Sequence, residues 1–139
     1  MEHVAILDKK LNLLQKIVNG EKTIESRWYK FKKIPYQNIS INEIVYFKNS
    51  GEPVTVKAIV EKVLFFKDLE NVKIKEIIKE YGKQIGIDIS YSNRLSEKRY
   101  CSLIFLKDVL EIKPFEIDKK GYGNMAAWIT IDSIDKIKV

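Results

Sequence analysis

Lys22, Glu25 and Arg27 stand close together in the run Gly20-Glu21-Lys22-Thr23-Ile24-Glu25-Ser26-Arg27. On an extended strand side chains alternate, so Thr23, Glu25 and Arg27 share one face, Ile24 and Ser26 point to the other, and Lys22 sits at the strand's entrance. That face can do recognition chemistry. Arg27 can hold a phosphate or carboxylate through two parallel N–H bonds, Glu25 can accept from an exocyclic amine or a ribose hydroxyl, and Lys22 supplies a mobile cation. If burial lowered its pKa, Lys22 would instead serve as base or nucleophile, which makes Lys22 and Glu25 the candidate catalytic residues. A carboxylate close to the ammonium works against that, so Lys22 is expected to stay a phosphate-binding cation. The plainer alternative is an exposed strand face on which Glu25 and Arg27 simply pair, worth at most about 1 kcal/mol.

The surrounding charge favours an anionic partner. Residues 8–33 carry eight Lys/Arg against Asp8, Glu21 and Glu25, a local balance of +5 within a total of +6. Trp28, Tyr29 and Phe31 are interleaved with Lys30, Lys32 and Lys33, so cations that hold phosphates alternate with rings that stack on bases. The residues expected to contact RNA or a nucleotide are therefore Lys22, Thr23, Glu25, Arg27, Tyr29, Lys30, Lys32 and Lys33. Alternation places Trp28 with Ile24, on the buried side. Lysine outnumbers arginine 22 to 3 and isoleucine reaches 21, a usage that also fits a thermophile or an AT-rich genome without any functional basic surface. Arg94, Lys98 and Arg99 form a second basic cluster that could widen the footprint but reads most simply as a solvated loop.

Other chemistries find little support. One His and one Cys cannot supply the clustered ligands of a zinc or iron site, so neither a metal nor a cofactor is expected. A nucleophilic triad would have to use His3, next to the N-terminus. Cys101, among Tyr100, Ser102, Leu103 and Ile104, reads as a buried strand residue. Gly121-Tyr122-Gly123-Asn124 lacks the third glycine and the strand-to-helix context of a dinucleotide site and reads as a turn. No run of eighteen apolar residues suggests a membrane span, and the first eight residues do not resemble a secretory signal, so a cytoplasmic protein is expected.

The elements that must position the site are set by periodicity. Residues 3–7 read as a strand. Asp8 can cap a helix with Leu11, Leu14 and Val18 as its stripe, widened by Leu13 and Ile17, and Gly20 ends it. Strands are predicted over 23–28, 43–48 and 54–63, the last with Val54, Val56, Ala58 and Val60 on one buried face. Ile74, Ile77, Ile78 and Tyr81 have the spacing of an amphipathic helix that Gly82 would stop. Residues 83–99 read as loop with a short helical turn. Further strands are predicted over 100–106, over 109–117 with an interruption at Pro114, and over 127–131. The 139 residues suit one domain. Six or seven short strands in local succession predict an α+β fold: a small, curved, partly closed antiparallel β-barrel with flanking helices.

The run Gly20 to Arg27, with the preceding helix and the later Ile44-Val45-Tyr46-Phe47 and Val56-Lys57-Ala58-Ile59-Val60, resembles the ASCH domain family of the PUA-like superfamily. The resemblance covers roughly the first half of the chain. It implies an opening helix leading into a Gly-x-Lys-Thr-x-Glu-x-Arg-type strand at the mouth of a small barrel, a cleft lined by Lys22, Thr23, Glu25 and Arg27, and an RNA-related role. Some bacterial ASCH proteins are amidohydrolases of N4-acylated cytidines. They match this chain at Lys22 but carry threonine where Glu25 stands, with an acid further along that spacing does not assign to Glu76, Glu80 or Asp88. An RNA- or nucleotide-binding module is thus the leading expectation, with an amidohydrolase and a protein-interaction module as alternatives.

Overall fold

Runs rich in β-branched and aromatic residues build six strands: β1 (Glu2–Leu7), β2 (Ile24–Tyr29), β3 (Ile44–Asn49), β4 (Val54–Phe66), β5 (Tyr100–Phe115) and β6 (Trp128–Ile131). The computed structural model describes residues 1–123 and 125–139; Asn124, the last residue of the glycine-rich run, lies outside the described residues. The strands form one sheet in the order β2-β5-β4-β3-β1-β6. Its pairs are antiparallel except β1 with β3, which run parallel from Glu2↔Ile44 to Leu7↔Asn49. The sheet is therefore mixed, because β1 feeds a helix rather than a tight turn and the chain returns to β1 only after a crossover. Register shifts within the β4–β5 pair help the sheet curl into a half-barrel, and the whole is an α+β fold.

Three apolar clusters hold it together. Ala5, Val45, Phe47, Val56, Ala58 and Ile104 form the first, together with Ile17 from the segment after β1. Ile24, Cys101 and Leu103 pack against Ile74, Ile77 and Ile78 of α2 (Asn71–Ile85). Val4, Tyr46, Ile129 and Ile134 form the third cluster, and Val54 joins them there. Strict alternation would put Val54 on one face with Val56, but the register shift between them turns it to the other side.

Two helices differ from their sequence outlines in ways that shape the site. Asp8 caps as expected, accepting from the Lys10 N–H at 2.9 Å, yet the element it caps is a 3₁₀ turn over Lys9–Leu11. Asn12 then breaks it with φ of 54°, before the short α1 (Leu13–Val18). Helix α2 runs past Gly82 and stops at Gly86, whose φ of 91° only glycine adopts readily. Gly82 serves a different need: a Cβ there would stand 2.7 Å from the Ile87 carbonyl oxygen. That close return launches a 3₁₀ helix over Ile89–Leu95, inside the stretch expected to be mostly loop. Finally, β5 runs unbroken through Pro114. Its partner β2 covers only Tyr100–Phe105, so Pro114 lies on an edge where a missing N–H costs little.

Candidate functional site

The chain reaches β2 through a bend in which the Lys22 N–H donates to the Lys16 carbonyl at 3.0 Å. The bend turns Lys22 inward beside Glu25, and both side chains are nearly inaccessible, at 2% and 3%. Lys22 Nζ donates to the carbonyls of Ile24 and Ile85, each at 2.7 Å, and lies 3.2 Å from Glu25 Oε1. Glu25 Oε2 accepts from Arg27 Nε at 2.9 Å and Nη2 at 2.7 Å. Arg27 extends further, donating from Nη2 to the Ile6 carbonyl at 3.2 Å and from Nη1 to the Ala127 carbonyl at 3.1 Å. Its guanidinium also lies over the Trp128 ring, 5.2 Å from the centroid. Four of the five N–H groups a guanidinium carries are thereby committed to protein acceptors.

The electrostatics of the triad are dominated by burial. Desolvation lowers the Lys22 pKa from the ordinary lysine value, and Glu25 offsets this only in part. The Glu25 pKa is also lowered: burial alone would raise it, but Arg27 first and Lys22 second hold the carboxylate charged. The expectation that Glu25 would govern Lys22 is thus corrected, since burial is the larger influence and Glu25 directs one oxygen wholly at Arg27.

These three residues form part of the lining of a cavity of 810 Å³. Lys16 of α1, Trp28 and Tyr29 of β2, and Lys83 of α2 face the same space. So do Tyr91 and Arg94 of the Ile89–Leu95 helix and Lys98 just beyond it. Thr23 does not reach the cavity: it is exposed, and its backbone is tied to Gln84 and Leu106 instead. Strand alternation fails for it because the chain bends before pairing starts at Ile24. Ile24 is fully buried against α2, and half-buried Trp28 packs beside it while its Nε1–H donates to Ser26 Oγ at 3.0 Å. Lys30, Lys32 and Lys33 are exposed and lie outside the cavity lining, Lys33 over the Tyr29 ring at 5.1 Å.

Sequence reading missed Lys16, Lys83 and Tyr91 as cavity residues. Arg94 and Lys98, which the sequence offers as a solvated loop that could widen the footprint, line the cavity, Arg94 exposed and Lys98 half-buried. Asp88 lines the cavity too, its carboxylate accepting from the Ser90 N–H and hydroxyl, which lower its pKa; Glu76 and Glu80 do not line it. His3 lies outside the lining, buried between Glu43 at 2.8 Å and Thr130 at 3.0 Å. Cys101 is fully buried, and burial pushes its thiol pKa up. Among the described residues no group of three or more His, Cys, Asp or Glu side chains is placed to hold a metal ion. Nor is any helix among them long and apolar enough to cross a membrane.

No family model matches the chain. No curated protein matches it either. Solved structures do. The chain is similar to ASCH from Zymomonas mobilis, with a TM-score of 0.71 at 16% identity over 97% of this chain and 90% of that one. It is also similar to the N-terminal domain of McrB from Staphylothermus marinus, with a TM-score of 0.63 at 13% identity over 97% and 90% of the two chains. The fold is that of the ASCH structure.

Proposed function

We propose that the chain binds RNA or a nucleotide in the cavity between the half-barrel, α2 and the Ile89–Leu95 helix. The observation that carries this reading is a roomy cavity with six lining cations against three carboxylates, beside the rings of Trp28, Tyr29 and Tyr91. Cations attract a phosphate backbone and rings stack on bases, which is the composition of a single-strand binding surface. Lys30, Lys32 and Lys33 extend the basic surface beyond the cavity. The ASCH-type fold agrees with an RNA-related role. Titrating the affinity for a single-stranded oligoribonucleotide against salt is the test. A steep fall in affinity with salt is expected; a flat log–log slope, or no binding at low salt, removes RNA as the ligand and leaves only a free nucleotide.

One observation favours a second reading, an amidohydrolase of N4-acylated cytidines. Lys22 and Glu25 converge in a desolvated part of the cavity, as a catalytic pair would. The Ile24 and Ile85 carbonyls that hold Lys22 Nζ and the outward position of Thr23 weigh against it.

A further inference from the structure

The residue whose chemistry best suits a phosphate is not free to hold one. Arg27 commits Nε and Nη2 to Glu25 and both Nη atoms to backbone carbonyls. Lys22 likewise gives its ammonium to the Ile24 and Ile85 carbonyls and to Glu25. An anionic ligand in the cavity must therefore be met by other groups. Lys16, Lys83, Arg94 and Lys98 all line the cavity, and no carboxylate pairs with any of them among the described residues. The three carboxylates of the lining make contacts of their own. Asp8 accepts from the Lys10 N–H, Asp88 from Ser90, and Glu25 from Arg27 and Lys22.

The four cations also come from separate elements, so they approach the cavity from several sides instead of lying along one strand. Lys16 is on α1, Lys83 in the last turn of α2, Arg94 on the Ile89–Leu95 helix and Lys98 in the segment after it. Arg94 has its guanidinium 5.3 Å from the Tyr91 ring centroid, which places a phosphate-binding fork next to a stacking surface. Lys30, Lys32 and Lys33 offer no such enclosure. They are exposed and lie over the rings of Phe31, Tyr36 and Tyr29, outside the lining.

We infer that Lys16, Lys83, Arg94 and Lys98 form the phosphate subsite of this cavity, so that its ligand is a phosphate-bearing nucleotide and not a neutral nucleoside. The inference rests on the nucleotide-binding reading and names the part of the ligand that the cavity grips. The phosphate can belong to an RNA strand or to a free mononucleotide, and the two sources are separable by experiment. Buried Lys22 and partly buried Arg27 then act as positioning residues that fix the cavity wall, while the four unpaired cations make the contacts.

The test uses the full chain, calorimetric titration, and three probes: the four common ribonucleosides, their 5′-monophosphates, and a short single-stranded oligoribonucleotide. Monophosphates should bind about tenfold or more tightly than the matching nucleosides, since charge-assisted bonds to phosphate are absent in the latter. Arg94→Gln/Lys98→Gln should cut that preference several-fold, with Lys16 and Lys83 left in the subsite, and lower the salt slope for RNA by about two. Lys30→Gln/Lys32→Gln/Lys33→Gln should leave the mononucleotide preference intact. The charge-keeping variant Arg94→Lys/Lys98→Arg should retain most of the binding. Arg94 is exposed and Lys98 half-buried, so these changes leave the fold unaffected, which circular dichroism verifies. RNA binding unchanged in Arg94→Gln/Lys98→Gln but lost in the Lys30, Lys32, Lys33 variant overturns the phosphate subsite and leaves the RNA reading standing. Equal affinity for nucleosides and monophosphates also overturns it. Monophosphate binding that depends on Arg94 and Lys98, without RNA binding, supports the subsite and identifies a free mononucleotide as its ligand. Binding of no probe overturns both.

Discussion

Arg27 Nη1 donates to the Ala127 carbonyl at 3.1 Å, joining the two ends of a six-stranded sheet that its backbone ladder leaves apart. Arg27 belongs to β2, one edge of the sheet, and Ala127 immediately precedes β6, the other edge. The same Ala127 oxygen accepts from the Ile6 N–H at 2.9 Å, so one side chain is fastened where β1 and β6 meet. A guanidinium thus closes the seam of the half-barrel, and the cavity lies beside it. Arg27→Gln leaves Glu25 buried without its main partner, and breaking a buried pair in this way costs about 3–5 kcal/mol. The double variant Glu25→Gln/Arg27→Gln should lose less than the single one, because no buried carboxylate is then left to Lys22 alone. Urea unfolding midpoints measure both; a double variant at least as unstable as Arg27→Gln would mean that the seam bonds, and not the charge pair, dominate.

The pH dependence of stability has a definite sign. Glu25 has a folded pKa below its ordinary value of 4.5, so between the two the unfolded chain binds more protons. Its contribution is fully present above the unfolded value and is lost as pH falls through the folded pKa. His3 adds an earlier step. Burial, its largest influence, lowers the His3 pKa from 6.5 in spite of Glu43, so stability falls as pH drops below 6.5 towards the folded pKa. Unfolding free energy measured between neutrality and acid should fall in both windows. Glu25→Gln should reduce the fall in the lower window, to which Glu43, Glu52, Asp88 and Asp132 also contribute, and His3→Gln the fall in the upper one.

Much of this could be read from the sequence where the pattern is local. The Ile74, Ile77, Ile78 stripe appears as the buried face of α2, and Ile24 and Glu25 point to opposite sides of β2. What stayed hidden depends on geometry without a period. Tyr91 and Arg94 sit on a 3₁₀ helix, where no apolar repeat marks a face. Beyond Glu25, the acceptors of Arg27 are backbone oxygens of Ile6 and Ala127, 21 and 100 residues away, and a carbonyl has no residue type to betray it. Val54 changes sides at a register shift, which alternation cannot foresee.

Gly82 lies where α2 and the Ile89–Leu95 helix meet, and its lack of a side chain sets how close they come. Gly82→Ala would place a methyl group 2.7 Å from the Ile87 carbonyl oxygen, a backbone atom with little freedom to yield. Forcing extra atoms into a packed site costs about 1–3 kcal/mol, more than the gain in helix propensity of at most about 1 kcal/mol. The variant should therefore be less stable. Because Tyr91, Arg94 and Lys98 come after this turn, nucleotide binding should weaken too. Thermal unfolding and calorimetric titration check the two effects, and a Gly82→Ala protein as stable as the parent would show that the turn relaxes freely.

The final prediction concerns Lys22, whose lowered pKa is the property expected of a nucleophile. Burial does favour the neutral amine, as lysine catalysis requires. Geometry decides otherwise. As an ammonium, Nζ directs its three protons at the Ile24 carbonyl, the Ile85 carbonyl and Glu25 Oε1, at 2.7, 2.7 and 3.2 Å. As a neutral amine it has two N–H bonds, which the two carbonyls take, and its lone pair then faces the Glu25 carboxylate and not the cavity. Neither form presents a free electron pair to an amide carbon. The protein is therefore expected to deacylate N4-acetylcytidine far below a typical enzymatic turnover of about 1 s⁻¹ or more. Incubation of the purified protein with that compound measures it directly. Glu25→Thr removes the carboxylate and frees the space in front of Nζ; turnover that appears only in that variant would identify Glu25 as the residue that separates binding from hydrolysis. Turnover in the parent protein that Lys22→Ala abolishes would place Lys22 in catalysis and put hydrolysis ahead of binding.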